Sequence, residues 1–148
     1  ILKAHTVKNN APDNSLILGC DSTFEFEGKS LGKPGNRENA ITRCKKLSGN
    51  SGYLHTGHCL IDLKQGIELS ERSTAKVEFA QMSDAEILDY VDSGEPLNVA
   101  GGFTLDGLSA PFITNIEGDP SGIIGLSLPL LRKMIITLGY SWPDLKNK

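Results

Sequence analysis

Leu16-Ile17-Leu18-Gly19-Cys20-Asp21-Ser22-Thr23 is the stretch on which the reading of this chain turns, together with Gly32-Lys33-Pro34 further on. Three consecutive apolar residues closed by Gly19 read as a short buried strand. Asp21 then falls where that strand runs out, between the small residues Cys20 and Ser22. In an α/β domain, the carboxyl end of a core strand is where ligands and chemistry gather. Lys33 lies in a turn constrained on both sides, by Gly32 and Pro34. An acid and a lysine held on rigid turns suit a polyanionic, metal-bound substrate. The same residues also fit an aspartate capping a turn and a solvated surface lysine.

Working outward, the 148 residues suffice for one domain with a real core. Hydrophobic residues make up 39% and charged residues 22%, a globular rather than a disordered composition. A net charge of −3 and a pI of about 5.6 give no footprint for nucleic-acid polymers. A nucleotide remains compatible, because a pocket can be locally basic on an acidic protein. Cys20, Cys44 and Cys59 are odd in number and widely spaced, which argues against a disulfide framework and for a reducing cytoplasm. No apolar run approaches the ~18 residues of a membrane span. The chain opens on Ile1-Leu2-Lys3-Ala4, without Met and inside what reads as a helix, so a preceding segment is expected to be missing.

A short helix is expected over residues 1–9, then the strand at Leu16–Cys20 and a second extended piece at Phe24-Glu25-Phe26-Glu27 that turns at Gly28. Ala40, Ile41, Cys44 and Leu47 mark one face of a helix capped by Asn36 and stopped near Gly49. Tyr53–Leu63 and Glu68–Ala80 read as a hairpin about Lys64-Gln65-Gly66. Ser83-Asp84-Ala85-Glu86 is a capping box, opening a helix with Ile87, Leu88 and Val91 inward and Gly94 as its stop. After the glycine-rich Ala100–Gly107 come a strand at Phe112–Ile116 and a last helix built on Leu126 to Leu138, with Pro129 in its first turn. Trp142 and the tail are expected to be peripheral. The order indicates one mixed α/β domain.

Several constellations bear on chemistry. His55 and His58 differ by three, so on a strand they face opposite sides, and no CxxC or HxxxH accompanies them. They read as strand and pocket-wall residues. Cys20 lacks an assignable activating histidine, and Cys44 reads as core. Ala100–Gly107 matches neither a P-loop nor a dinucleotide fingerprint, although Gly101-Gly102 permits close backbone approach to a ligand. Glu117 and Asp119 flank Gly118 and fit either a weak divalent-ion site or the cap of the last helix.

The order of these pieces resembles the Maf family, the septum-formation-type nucleoside triphosphate pyrophosphatases. The matching segments are Leu18-Gly19-Cys20-Asp21-Ser22, Leu31-Gly32-Lys33-Pro34, His55-Thr56-Gly57, Ser83-Asp84-Ala85-Glu86-Ile87, Tyr90-Val91, Gly94-Glu95-Pro96-Leu97, Ala100-Gly101-Gly102-Phe103, Ile116-Glu117-Gly118 and Ile123-Ile124-Gly125-Leu126. The resemblance implies an α/β fold with a mixed, bent sheet flanked by helices, like that of the inosine triphosphatases, and a cleft between two lobes. It implies hydrolysis of nucleoside triphosphates, modified or non-standard ones included, to monophosphate and pyrophosphate with a divalent cation, Mg²⁺ or Mn²⁺. Asp21 matches the family's proton acceptor and a tentative metal ligand. Lys3 and Lys33 match its phosphate-facing lysines, and Ser22 matches a position tied to substrate choice.

Two departures stand beside this. Where the family carries Gln in its glycine-rich loop this chain has Asp106, which as a carboxylate cannot donate as an amide does, so base preference is expected to differ. The family's N-terminal strand, with its serine and paired arginines, has no counterpart here. Residues 1–148 are therefore expected to be a single Maf-like domain, incomplete at its N-terminus, with a nucleoside triphosphate as partner and no membrane. The resemblance makes a homodimer reasonable. A non-catalytic nucleotide-binding or cell-division regulator, or an inactive fragment, are the alternatives to the enzyme.

Overall fold

The computed structural model describes residues 1–146. In chain order the elements are α1 (Leu2–Lys8), β1 (Leu16–Phe26), β2 (Lys29–Leu31), α2 (Arg37–Leu47), β3 (Ser51–Asp62), β4 (Ile67–Phe79), α3 (Asp84–Asp92), β5 (Ile113–Glu117), α4 (Pro120–Ile124) and α5 (Leu128–Thr137). The five strands form one sheet in the order β2-β1-β3-β4-β5, flanked by the helices. Where a mixed sheet is implied by resemblance, every pairing among the described residues is antiparallel. The reversals at Glu27-Gly28 and at 63–66 supply the tight turns that antiparallel neighbours allow. No helix among the described residues is long and apolar enough to cross a membrane.

One expectation fails here in a way that matters for the site. Leu16–Cys20 and Phe24–Glu27 are not two extended pieces but one continuous strand, β1. Its residues from Leu16 to Glu25 pair without interruption against β3, and Asp21 lies opposite Gly57 in mid-strand rather than at a strand end. Local composition, with small and polar residues at 19–23, reads as a break. The long-range ladder overrides it.

Alternation along β1, β3 and β4 sorts the side chains onto two faces. On one face Phe24, Leu54, Val77 and Phe79 meet Phe103 from the glycine-rich connection. The rings of Phe24, Phe79 and Phe103 pack edge to face, with centroids 5.0 to 6.2 Å apart. Further along the same face, Leu60 packs on Met134, Ile135 and Leu138 of α5. The opposite face is covered at one end by α1, through Ala4 against Ile17, Cys59 and Ile61. Beyond α1 that face is open.

Local signals held where the chemistry is local. Asn36 caps α2, its side chain accepting from the Asn39 N–H at 2.8 Å. The capping box of Ser83 and Glu86 is complete, at 3.2 and 2.7 Å. Leu88, however, points outward, 41% exposed, and Tyr90 takes the inward place beside Ile87 and Val91. The last helix formed as expected, α5 with Pro129 in its first turn and Ser127 as cap. A further short helix not expected, α4, precedes it, capped by Asp119 and ended at Gly125, φ +130°. Trp142 is not peripheral but packs against the Leu60–Met134 cluster.

Candidate active site

Gly19 fixes the first part of the site. A Cβ there would lie 2.6 Å from the Ala4 amide nitrogen, so only glycine lets α1 dock this closely on β1. Docking Ala4 brings its neighbour Lys3 to Asp21, Nζ to Oδ1 at 3.1 Å. The two side chains are 63% and 80% exposed. Such a pair stabilises the fold by about 0–1 kcal/mol, so a ligand can repartner both groups at little expense. They line a cavity of about 640 Å³ together with Gly57 and Arg72.

Arg72 was not anticipated from the sequence. Asp21, Gly57 and Arg72 are direct partners across β1, β3 and β4, so their side chains share the open face. Between the acid and the arginine stands a glycine, and a Cβ there would meet only the Asp21 carbonyl oxygen, at 3.8 Å. The acid and the guanidinium therefore look onto one uncluttered strip of sheet. Arg72 is exposed and makes no ion pair among the described residues. The register that assembles this row is set by pairing across some fifty residues, which no local pattern announces.

Ser22 points to the other face. Thr56, fully buried, donates its hydroxyl proton to the Gly122 carbonyl at 2.9 Å. The 2.8 Å contact between Ser22 and Thr56 therefore has Ser22 as donor. Ser22 lines a second cavity, of about 190 Å³, with Thr104, Asp106, Leu54, Phe103 and Ile123. From Leu16 to Thr23, β1 has a strand neighbour on one side only among the described residues. Asp21 and Ser22, adjacent in β1, present their side chains to opposite faces of the sheet.

The remaining candidates lie elsewhere. The Lys33 turn is pinned by the Gly35 N–H donating to Leu97 O at 3.0 Å and by Pro34 packing on Gly102. Lys33 lines a separate depression of about 230 Å³, shared with Arg43 and Lys46. Burial lowers the Arg43 pKa from its ordinary value, and its guanidinium donates to Gly32 O at 2.9 Å, holding the Lys33 turn in place. Glu117 sits opposite Lys76 on the far edge strand. By sheet spacings that is roughly 20 Å from Asp21. Asp119 is the cap of α4, accepting from Ser121 and Gly122 N–H at 3.1 Å each.

The histidines and cysteines are committed to structure. His58 Nδ1–H donates to Thr56 O at 3.0 Å, and Nε2 accepts from Ser127 N–H at 2.9 Å, which assigns the neutral tautomer. His55 bridges Thr74 and Glu25, at 2.8 Å to each. Burial raises the Cys20 thiol despite nearby Lys3, and pushes Cys44 up to about 11, so neither is poised as a thiolate. Among the described residues no three His, Cys, Asp or Glu side chains converge as a metal site. Two carboxylates line the cavity, Asp21 and Glu71. Glu71 has Lys133 at 3.9 Å, and Asp21 offers a hard oxygen donor on the open face. That donor set suits Mg²⁺ or Mn²⁺, which keep waters and complete their shell with substrate phosphates.

The chain was compared with known proteins. It is 50% identical over 146 residues to a nucleoside triphosphate pyrophosphatase of Thermosynechococcus vestitus, covering 99% of this chain and 74% of that protein. To a nucleoside triphosphate pyrophosphatase of Salinispora tropica it is 50% identical over 124 residues, 84% of this chain and 55% of that one. A nucleoside triphosphate pyrophosphatase/Nudix hydrolase fusion protein of Bifidobacterium longum is 52% identical over 132 residues, 89% of this chain and 27% of the fusion. The chain thus spans from about a quarter to three quarters of the length of these relatives. The family model described as Maf-like protein matches residues 1–138, and the chain belongs to that family.

Proposed function

We propose that this chain hydrolyses nucleoside triphosphates to the monophosphate and pyrophosphate. The observation that carries the reading is the row on the open face: one exposed carboxylate, Asp21, with Lys3 at 3.1 Å and Arg72 across an empty glycine position. An acid set between two repartnerable cations suits a reaction in which a polyanion binds, water attacks and a polyanion leaves. Relatives at about half identity carry the same activity in their names.

In the proposed sequence the triphosphate draws the Lys3 ammonium away from Asp21, which leaves its carboxylate with the Ser22 N–H alone. Asp21 then accepts a proton from the water that attacks the α-phosphorus. The bond from that phosphorus to the oxygen bridging to the β-phosphate breaks, and pyrophosphate departs with the bond's electrons. Lys3 and Arg72 hold the phosphates and offset the growing charge on the leaving group. Lys33 is assigned a phosphate role by the family resemblance alone. Asp21 would hold Mg²⁺ or Mn²⁺ together with the substrate, and the cation would supply further charge neutralisation. Ser22 and Asp106, which share the cavity on the opposite face of β1, face the base. Glu117 is left out, because Lys76 is its neighbour. Three free cysteines, two of them buried, suit a reducing cytoplasm.

Asp21→Asn tests this directly. Loss of general-base action predicts a fall in kcat of roughly 100-fold or more, with nucleotide affinity within a few-fold of the parent. Full turnover by Asp21→Asn would sink the assignment.

A further inference from the structure

The cavity beside Ser22 has a polarity that follows from where its protons go. Thr56 gives its only hydroxyl proton to Gly122 O, so Ser22 must spend its own on Thr56. Thr104 gives its hydroxyl proton to Glu95 at 2.6 Å. Glu95 is an ionised acceptor: burial raises its pKa, but hydrogen bonds from Thr104 and the backbone outweigh that and hold it below the ordinary value. Asp106 is an exposed carboxylate with no hydrogen bond of its own among the described residues. Every polar side chain lining this cavity is therefore left as an acceptor.

Leu54, Phe103 and Ile123 supply apolar walls. The volume, about 190 Å³, is below the roughly 300–1,000 Å³ of pockets that enclose a whole drug-sized ligand, so it takes one planar group of a substrate. We propose that this group is a base presenting two adjacent N–H donors, as guanine does with N1–H and its 2-amino group, and that Asp106 accepts both. The inference rests on the nucleotide reading above. A carboxylate's two oxygens match such a pair side by side. Uracil and thymine offer one N–H between two carbonyls, which would face acceptors with acceptors. Adenine and cytosine offer an amino group beside a bare ring nitrogen. Hypoxanthine keeps N1–H and lacks only the 2-amino group.

That last difference makes the test. With this chain and Mg²⁺ or Mn²⁺, kcat/KM is measured for GTP, ITP, ATP, CTP, UTP and dTTP by pyrophosphate release. GTP is expected to exceed ITP by about 10-fold or more, the worth of one hydrogen bond to a charged acceptor, with UTP and dTTP lowest. In Asp106→Asn an amide nitrogen replaces one acceptor, and the GTP/ITP ratio should collapse to within about threefold. UTP or dTTP matching GTP, or a GTP/ITP ratio untouched by Asp106→Asn, overturns the inference. Should no triphosphate be cleaved, the activity reading fails by itself. Affinities for the α,β-methylene analogues of GTP, ITP and UTP then decide base preference by the same order. Absence of any analogue binding overturns both.

Discussion

The two faces of the central sheet are built from the same three strands and to opposite ends. On one, Phe24 lies fully buried among Phe79, Phe103 and the backbones of Gly52 and Gly101, either of which would collide with it if it carried a Cβ. On the other, three residues earlier in the same strand, Asp21 is 80% exposed and held by an exposed lysine and the neighbouring Ser22 N–H. Packing on the first face makes β1 rigid, and rigidity there presents Asp21 and Ser22 at fixed positions. The difference teaches that the site needs no stabilising contacts of its own. Its geometry is borrowed from the far side of the strand.

Breaking the buried side should therefore have the largest effect on stability. Phe24→Ala leaves a cavity at the centre of three aromatic rings and is expected to destabilise by about 3–5 kcal/mol, read as a fall in the urea midpoint. A loss below about 1 kcal/mol, within reach of ordinary surface changes, would show that the two faces do not differ as described.

A smaller effect is expected at the end of β3, where Asp62 is 1% exposed. Burial works to raise its pKa. Donation from Tyr140 at 2.7 Å, from Gln65 at 2.6 Å and from the backbone of Lys64 and Gln65 outweighs that and holds the carboxyl below its ordinary value. A depressed folded pKa gives stability that is fully present above the unfolded value, about 3.9, and is lost as pH falls through the folded one. Tyr140→Phe removes one donor and is expected to destabilise by about 1–3 kcal/mol at pH 7. The gap to the parent should close below about pH 4. A gap that stays constant down to pH 2 would locate the effect in packing rather than in the carboxylate.

What was legible in the sequence follows the range of the interaction. The caps at Asn36 and Ser83, the hairpin about Lys64-Gln65-Gly66 and the helix stop at Gly94 depend on residues within a few positions, and each formed as read. The α/β architecture was legible for the same reason, and the order of motifs carried the family. What escaped depends on distant partners. β1 is one strand because β3 pairs along it, and Leu88 turns outward because Tyr90 fills the inward place. Arg72 faces Asp21 only through the register of three strands. Asp21 stands out in its own segment, and Lys3 and Ser22 through the family's motifs. The chain of hydroxyls from Ser22 through Thr56 to Gly122 spans a hundred residues and leaves no mark in either segment alone.

Arg72 gives the sharpest contrast with Phe24, because its removal should scarcely touch the fold. It is exposed and unpaired among the described residues, so Arg72→Met is expected to shift stability by no more than about 0.5 kcal/mol. Its guanidinium nevertheless shares a strip of sheet with Asp21, and an arginine there can grip phosphate oxygens in a bidentate fork. Arg72→Met should raise KM for a nucleoside triphosphate by about 10-fold and weaken pyrophosphate as a product inhibitor, since the lost contact is to the phosphates rather than the base. The GTP/ITP ratio should stay where the parent has it. Arg72→Lys keeps the charge without the fork and should recover part of the loss. If Arg72→Met leaves KM and pyrophosphate inhibition unchanged, the open face binds its polyanion without Arg72, which is then a solvated side chain on an exposed strand.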